Sequence, residues 1–299
     1  MRVLPLLLAA VLCAWAQSER VTYTFDLNGR RVPVEGQTST NGSSRQVTQN
    51  INGRRVTLES SEEKELSRGP DGRVVERLVR QFDAAGQPAG FTKIRVEERK
   101  NPDGTTTTIT AVFDNTLSGS YALRERTTAL SAKSGDTTQT QTVAERPTLN
   151  GTLEVVEKRT VVQQPARQDV TVYRRDGSGD FALSEREVAV TAEQNGLKTT
   201  SVQKYNSTAT GKLDLAAQQV RRVETKPDGS EVEVVDVFGA GIGNYSEKPT
   251  LREQQIIERK PGPGQTLTES FSIRRPELGS GKLGAAQSIS ETVCTGKCR

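Results

Sequence analysis

The chain has 299 residues, 41 Lys plus Arg against 37 Asp plus Glu, a formal net charge of +4, and no histidine. Without histidine, the Ser-His-Asp and Cys-His nucleophiles are excluded. Leu, Ile, Val and Phe make up about a fifth of the chain after Ala16, near the level at which a core ceases to be sustained, yet so low a net charge argues against disorder, and abundant Val and Thr favour strands.

The first element is Met1-Arg2, an apolar run from Val3 to Cys13, and Ala14-Trp15-Ala16 before the polar Gln17-Ser18-Glu19-Arg20. A basic start, a short apolar core and small residues at the end predict a secretory signal peptide (1–16) cleaved after Ala16. The run is too short to span a bilayer, and no later segment approaches ~18 continuous apolar residues. Lipidation of Cys13 is disfavoured because Leu12 stands where a lipobox needs a small residue. Cys294 and Cys298 then remain, and export makes a local disulfide between them plausible. As zinc ligands they lack two further partners.

Residues 17–71 are expected to form a lead-in or capping segment, in part disordered, with alternating pieces such as Val21-x-Tyr23-x-Phe25. From there to residue 293 one template recurs: Gly, any residue, an aromatic or Leu, any residue, an aliphatic. It reads Gly119-x-Tyr121-x-Leu123, Gly151-x-Leu153-x-Val155, Gly179-x-Phe181-x-Leu183 and Gly211-x-Leu213-x-Leu215, at spacings of 32, 28 and 32 residues. Weaker copies begin at Gly243 with Tyr245 and at Gly281 with Leu283, and Gly72–Asp103 resembles one more. Opposite turns fall half a repeat away, at Pro102-Asp103-Gly104, Ser134-Gly135-Asp136, Asn195-Gly196 and Pro227-Asp228-Gly229. Asp-Gly and Asn-Gly supply the positive φ that hairpin turns demand, so the pattern predicts long hairpins. The last residues, 294–299, are expected to be a loose tail.

Within each repeat the apolar positions change phase, from Tyr121 and Leu123 to Leu130, from Leu153 and Val155 to Val162, and from Leu183 to Val188 and Val190. Strand residues alternate between faces, so this switch predicts a bulge or a corner. Glu125-Arg126, Glu157-Lys158 and Glu185-Arg186 stand at the switch. They read as a rim of cross-strand ion pairs, or as a docking strip for a charged polymer.

Among chemistry-bearing motifs, Asp176, Ser178, Asp180 and Glu187 stand at places one, three, five and twelve of a calcium-type loop. The sixth place is Phe181 where such a loop needs Gly, and a Gly-rich turn explains the same residues. Gly239-Ala240-Gly241-Ile242-Gly243 lacks the Lys of a nucleotide loop. Basic residues alternate with Glu and form no aromatic-lined stripe, so no nucleic-acid partner is expected. Asn41, Asn150 and Asn206 stand in sequons that matter only in a eukaryotic host. Phe82-Asp83-Ala84-Ala85-Gly86 resembles one unit of the bacterial YD (Rhs-type) repeats. That resemblance ends after five residues and implies nothing for the rest.

The fold expected is therefore all-β: an extended antiparallel meander of long hairpins built from ~32-residue internal repeats, as an open sheet or as a sandwich bent at the phase switch. A barrel of about fourteen strands in an outer membrane suits the hairpins, but Leu153–Val162 carries charges on both faces where lipid demands apolar residues. The function expected is a non-catalytic secreted or envelope-associated protein with an adhesive or scaffolding role, no cofactor, and an envelope or extracellular polymer as partner. The second expectation is a periplasmic carrier or carbohydrate-active domain with a groove between curled sheets.

Overall fold

The computed structural model describes residues 18–25, 31–33, 37–41, 43–51, 54–116, 118–208, 210–239, 249–277 and 279–296. The segment expected to be a signal peptide lies outside them, and β1 begins two residues beyond the expected cleavage point.

Among the described residues, alternating Val- and Thr-rich segments bounded by Gly, Pro and Asp give nineteen strands in one sheet. They are β1 (Ser18–Phe25), β2 (Arg31–Pro33), β3 (Gln37–Asn41), β4 (Ser44–Ile51), β5 (Arg54–Gly69), β6 (Gly72–Phe82), β7 (Pro88–Lys100), β8 (Thr106–Asn115), β9 (Tyr121–Ser134) and β10 (Thr137–Pro147). There follow β11 (Leu153–Gln164), β12 (Arg167–Arg175), β13 (Phe181–Gln194), β14 (Leu197–Ser207), β15 (Leu213–Thr225), β16 (Glu231–Gly239), β17 (Thr250–Gly262), β18 (Thr266–Arg274) and β19 (Gln287–Gly296). From β3 to β19 each strand pairs antiparallel with its sequence neighbour, so the chain is the all-β meander of long hairpins that its turns and periodicity predict. Residues assigned to the lead-in belong to the same sheet as β1–β5, and β19 runs on through Gly296.

The two ends of the meander meet. β1 pairs with β19 from Ser18↔Gly296 to Thr24↔Ser290, and on its other flank with β3 (Ser18↔Thr40 to Arg20↔Thr38) and β2 (Tyr23↔Pro33 to Phe25↔Arg31). The ladder thus returns to its start instead of leaving two free edges or folding into a sandwich. A sheet of more than ten strands curls, and a right-handed twist of about 20–25° per strand pair brings its ends round. Periodicity could not reveal this, because it fixes only which neighbours pair in sequence.

A bulge stands at the predicted phase switch. Phe113 faces Leu123 while Val112 faces Glu125, leaving Arg124 extra; Val156 is extra in β11 and Ser184 in β13. Each extra residue directly precedes Glu125, Glu157 or Glu185. The same irregularity recurs between β4 and β5, β6 and β7, β14 and β15, β16 and β17, and β18 and β19. Every second hairpin is therefore bulged on its second strand, close to the turn. That places Tyr121 and Leu123 on one face with Leu130, as the sequence pattern requires.

The sheet is a single layer. Among the described residues only Val172, Val235, Ile273 and Cys294 are buried apolar side chains, and all four project from one face by register. The exposed Tyr121, Leu130, Tyr173, Val190 and Leu197 all project from the other. On a curved layer the concave side crowds its side chains and the convex side spreads them, so the first face is the inner one and the second the outer. A sandwich would instead bury one whole face against a second sheet.

Hairpin turns alternate between two rims. After β8, β10, β12 and β14 the turn closes by the same pair of bonds, as where Gly179 N–H donates to Asp176 O and Asp176 N–H to Asp180 O, with Gly179 at φ 90°. Gly177 in that turn has no positive φ and open space around its Cα. Gly179→Ala is expected to lower stability by about 1 kcal/mol, and Gly177→Ala to be neutral or slightly stabilising, read from urea midpoints.

Candidate functional site

The calcium-type motif is a turn whose acceptors serve itself. Asp176 Oδ1 accepts hydrogen bonds from Ser178 N–H (2.9 Å), the Ser178 hydroxyl (2.6 Å) and Asp180 N–H (3.2 Å). The Ser178 hydroxyl holds the Asp176 carboxyl below its ordinary value. Glu187 lies apart, mid-strand on the inner face between Val170 and Lys204. Asp103 with Thr105, and Asp228 with Ser230, repeat the arrangement. Among the described residues no three His, Cys, Asp or Glu side chains group to hold a metal. Cys294 is disulfide-bonded and 3% exposed on the inner face; Cys298 lies outside the described residues.

The acids and bases of the phase switch separate between the faces. Glu125, Glu157 and Glu185 project inward and Arg126, Lys158 and Arg186 outward, since neighbours in a strand alternate. Inward, Glu125 accepts from Arg146 (3.0 Å), Arg174 bridges Glu157 (3.0 Å) and Glu185 (2.6 Å), and Lys204 completes the row on Glu185 (2.9 Å). Burial works to raise the Glu185 carboxyl, but hydrogen bonds from Lys204 and Arg174 outweigh it and leave it lowered. A second inward cluster centres on Arg259, which contacts Glu231 (2.6 Å), Glu233 (2.9 Å) and Glu269 (2.7 Å), while Arg221 holds Glu233 from the other side (2.6 Å). The partly exposed pairs of the first row contribute about 0.2–1 kcal/mol each and matter as a row, whereas Glu233 at the centre of the second cluster is buried.

The outer face carries a different pattern at the rim formed by the β8–β9, β10–β11, β12–β13 and β14–β15 turns. Counting outward positions from that rim, β9 presents Tyr121, Leu123 and Arg126; β11 presents Leu153, Val155 and Lys158; β13 presents Phe181, Leu183 and Arg186. β7 matches with Pro88, Phe91 and Lys93. The ascending strands add Phe82, Phe113, Tyr173, Tyr205 and Phe238. Together they form an apolar collar with a basic position beneath it. Among the described side chains, Phe271 is the aromatic that faces inward.

The cations lie against the collar. Lys93 Nζ stands 4.7 Å from the Tyr121 ring centroid and 5.1 Å from that of Phe113, and Lys158 Nζ 4.3 Å from that of Phe181. Arg126 pairs with Glu145 (2.7 Å) and Arg186 with Asp169 (2.7 Å). The Arg186 hydrogen bond holds the Asp169 carboxyl below its ordinary value, with Arg167 adding to it against a smaller opposing effect of burial. The collar was not read as a unit from sequence. Its signal lay in the repeat template, whose aromatic and aliphatic places are its first two rows.

At the opposite rim an open groove of about 740 Å³ runs between the β5–β6 and β7–β8 turns, lined by Pro70, Asp71, Arg73, Glu98, Asn101 and Pro102 among others. Arg73 and Glu98, both in its lining, form an ion pair (2.7 Å).

No family model and no curated protein matches the chain. Solved structures with a similar course include OmpF of Salmonella typhi, in complex with daunomycin, at 10% identity over 94% of this chain and 96% of that one, TM-score 0.49. OmpT, an outer membrane protein of Vibrio cholerae, aligns at 9% identity over 94% and 98%, TM-score 0.29. A Bacteroides fragilis protein of unknown function aligns at 13% identity over 40% and 88%, TM-score 0.32. Likeness at these levels carries no argument about this chain.

Carboxyls lowered by ion pairing stabilise above their ordinary range, and that stability is lost as pH falls through the folded value. Urea midpoints should therefore decline below about pH 4. Asp169→Asn should lower stability by about 0.5 kcal/mol at pH 7, and its difference from the wild type should shrink as pH falls through the lowered folded value of the Asp169 carboxyl.

Proposed function

We propose that the protein is a non-catalytic, envelope-associated β protein that acts as a scaffold or adhesive surface. The observation that supports this reading best is where its polar chemistry goes. Carboxylates and guanidinium groups are spent on one another across strands, inward in the Glu157–Arg174–Glu185–Lys204 row and the Arg259 cluster and outward in the Arg126–Glu145 and Arg186–Asp169 pairs. Such rows hold a wide single layer in register and leave a long polar surface on display. The residues at Met1–Ala16 add the expectation of export.

The test is to express the full chain with a carboxy-terminal tag, fractionate the cells, and measure the intact mass of the protein recovered. The reading predicts a chain starting at Gln17 and sedimenting with the envelope. Unprocessed protein in the cytosolic fraction would overturn it.

A further inference from the structure

The collar has a position, a depth and a charge pattern that together describe one kind of partner. Its rings and aliphatic side chains are confined to one face and one rim, and Tyr121 and Tyr173 stay 38% and 36% exposed. Tyrosine and phenylalanine presented this way suit a boundary where one side is apolar and the other wet.

Depth decides how the boundary is met. Successive outward positions are about 7 Å apart along a strand, so a collar two positions tall reaches about 10 Å. A spanning barrel needs an apolar band of about 25 Å, whereas interfacial seating needs about 5–10 Å. The third outward position is Lys93, Arg126, Lys158 or Arg186 on four successive descending strands, which ends the apolar band where a span would have to continue.

Charge decides the lipid. Among the described residues Lys158 pairs with no carboxylate, and its ammonium rests on the Phe181 ring. Lys93 is held likewise by two rings, with Glu76 at 3.9 Å. These cations sit at the depth of headgroup phosphates once the collar is seated.

We propose that the collar rim docks into the interface of a bilayer rich in anionic headgroups, the aromatic rows entering the headgroup–acyl boundary and Lys93 and Lys158 contacting lipid phosphate. This goes beyond the scaffold reading, since a protein can sediment with an envelope by holding a polymer or another protein.

The experiment is vesicle flotation of the chain from Gln17 onward, with phosphatidylcholine vesicles and with vesicles containing a quarter phosphatidylglycerol. Circular dichroism confirms that each variant keeps its β spectrum. The expected result is flotation with the anionic vesicles, weakened by 0.5 M salt. Tyr173→Ser with Phe181→Ser should cut it at least about fivefold, and Lys158→Gln less than that. Leu197→Ser, on the outer face at the opposite rim, should leave it unchanged. Three outcomes would overturn the proposal: no flotation of the folded protein, equal flotation with neutral vesicles, or a loss from Leu197→Ser as large as from the collar variants. Envelope sedimentation without flotation would leave the scaffold reading standing and remove this one.

Discussion

Everything in this molecule hangs on the backbone ladder between neighbouring strands, because the layer has nothing packed against it. Four apolar side chains are buried among the described residues, where a compact domain of this length would bury many times that number. A single layer retains the hydrogen bonds of a sheet but little of the apolar burial that normally offsets conformational entropy. Two devices make up the difference. Long strands place many cross-strand contacts in each pair, and the meeting of β1 with β19 and with β2 and β3 removes the free edges at which such a sheet would otherwise pair with other chains.

Given a ladder with no core, the bulges decide what each face presents. One extra residue after every second turn reverses the phase of the strand, so the apolar places before the bulge and those after it come to share the outer face. The acid of each Glu-Arg or Glu-Lys pair then turns inward and its base outward. Inward, Glu157, Arg174, Glu185 and Lys204 form a row of alternating sign. Outward, Lys158 and Arg186 lie beneath Phe181 and Leu183. Without the bulge the same residues would mix charge and apolar surface on both faces.

Much of this was legible in the sequence. Gly119, Gly151, Gly179 and Gly211 marked one set of turns, and all four have positive φ; Gly104, Gly135, Asn195 and Gly229 marked the other and do so too. The bulge was legible because a change of alternation between Leu183 and Val188 has no other cheap origin in a strand. The meeting of the ends was not, since no residue of β1 signals that its partner lies some 270 positions away. The faces were not either. Period-two patterning says which residues lie together and is silent on which side is concave. The collar followed only once the rim, the face and the bulge were known together. Asp176, Ser178, Asp180 and Glu187 fitted a ligand spacing on paper, but a spacing drawn from a helix-flanked loop has no force where the last member is on a strand.

Closure of the ring is the claim on which both faces and the collar depend. It is tested most directly by cysteine cross-linking of Thr22 and Thr292, which are register partners with hydroxyls 2.9 Å apart. Under mild oxidation of the folded protein, Thr22→Cys with Thr292→Cys should form an intramolecular disulfide, identified by peptide mapping. It should form as fully as Ser131→Cys with Thr140→Cys, a pair inside the meander with hydroxyls 2.8 Å apart. If the inner pair cross-links while thiols at 22 and 292 remain open to alkylation, the ends are free, and the ring with its inner and outer faces is contradicted.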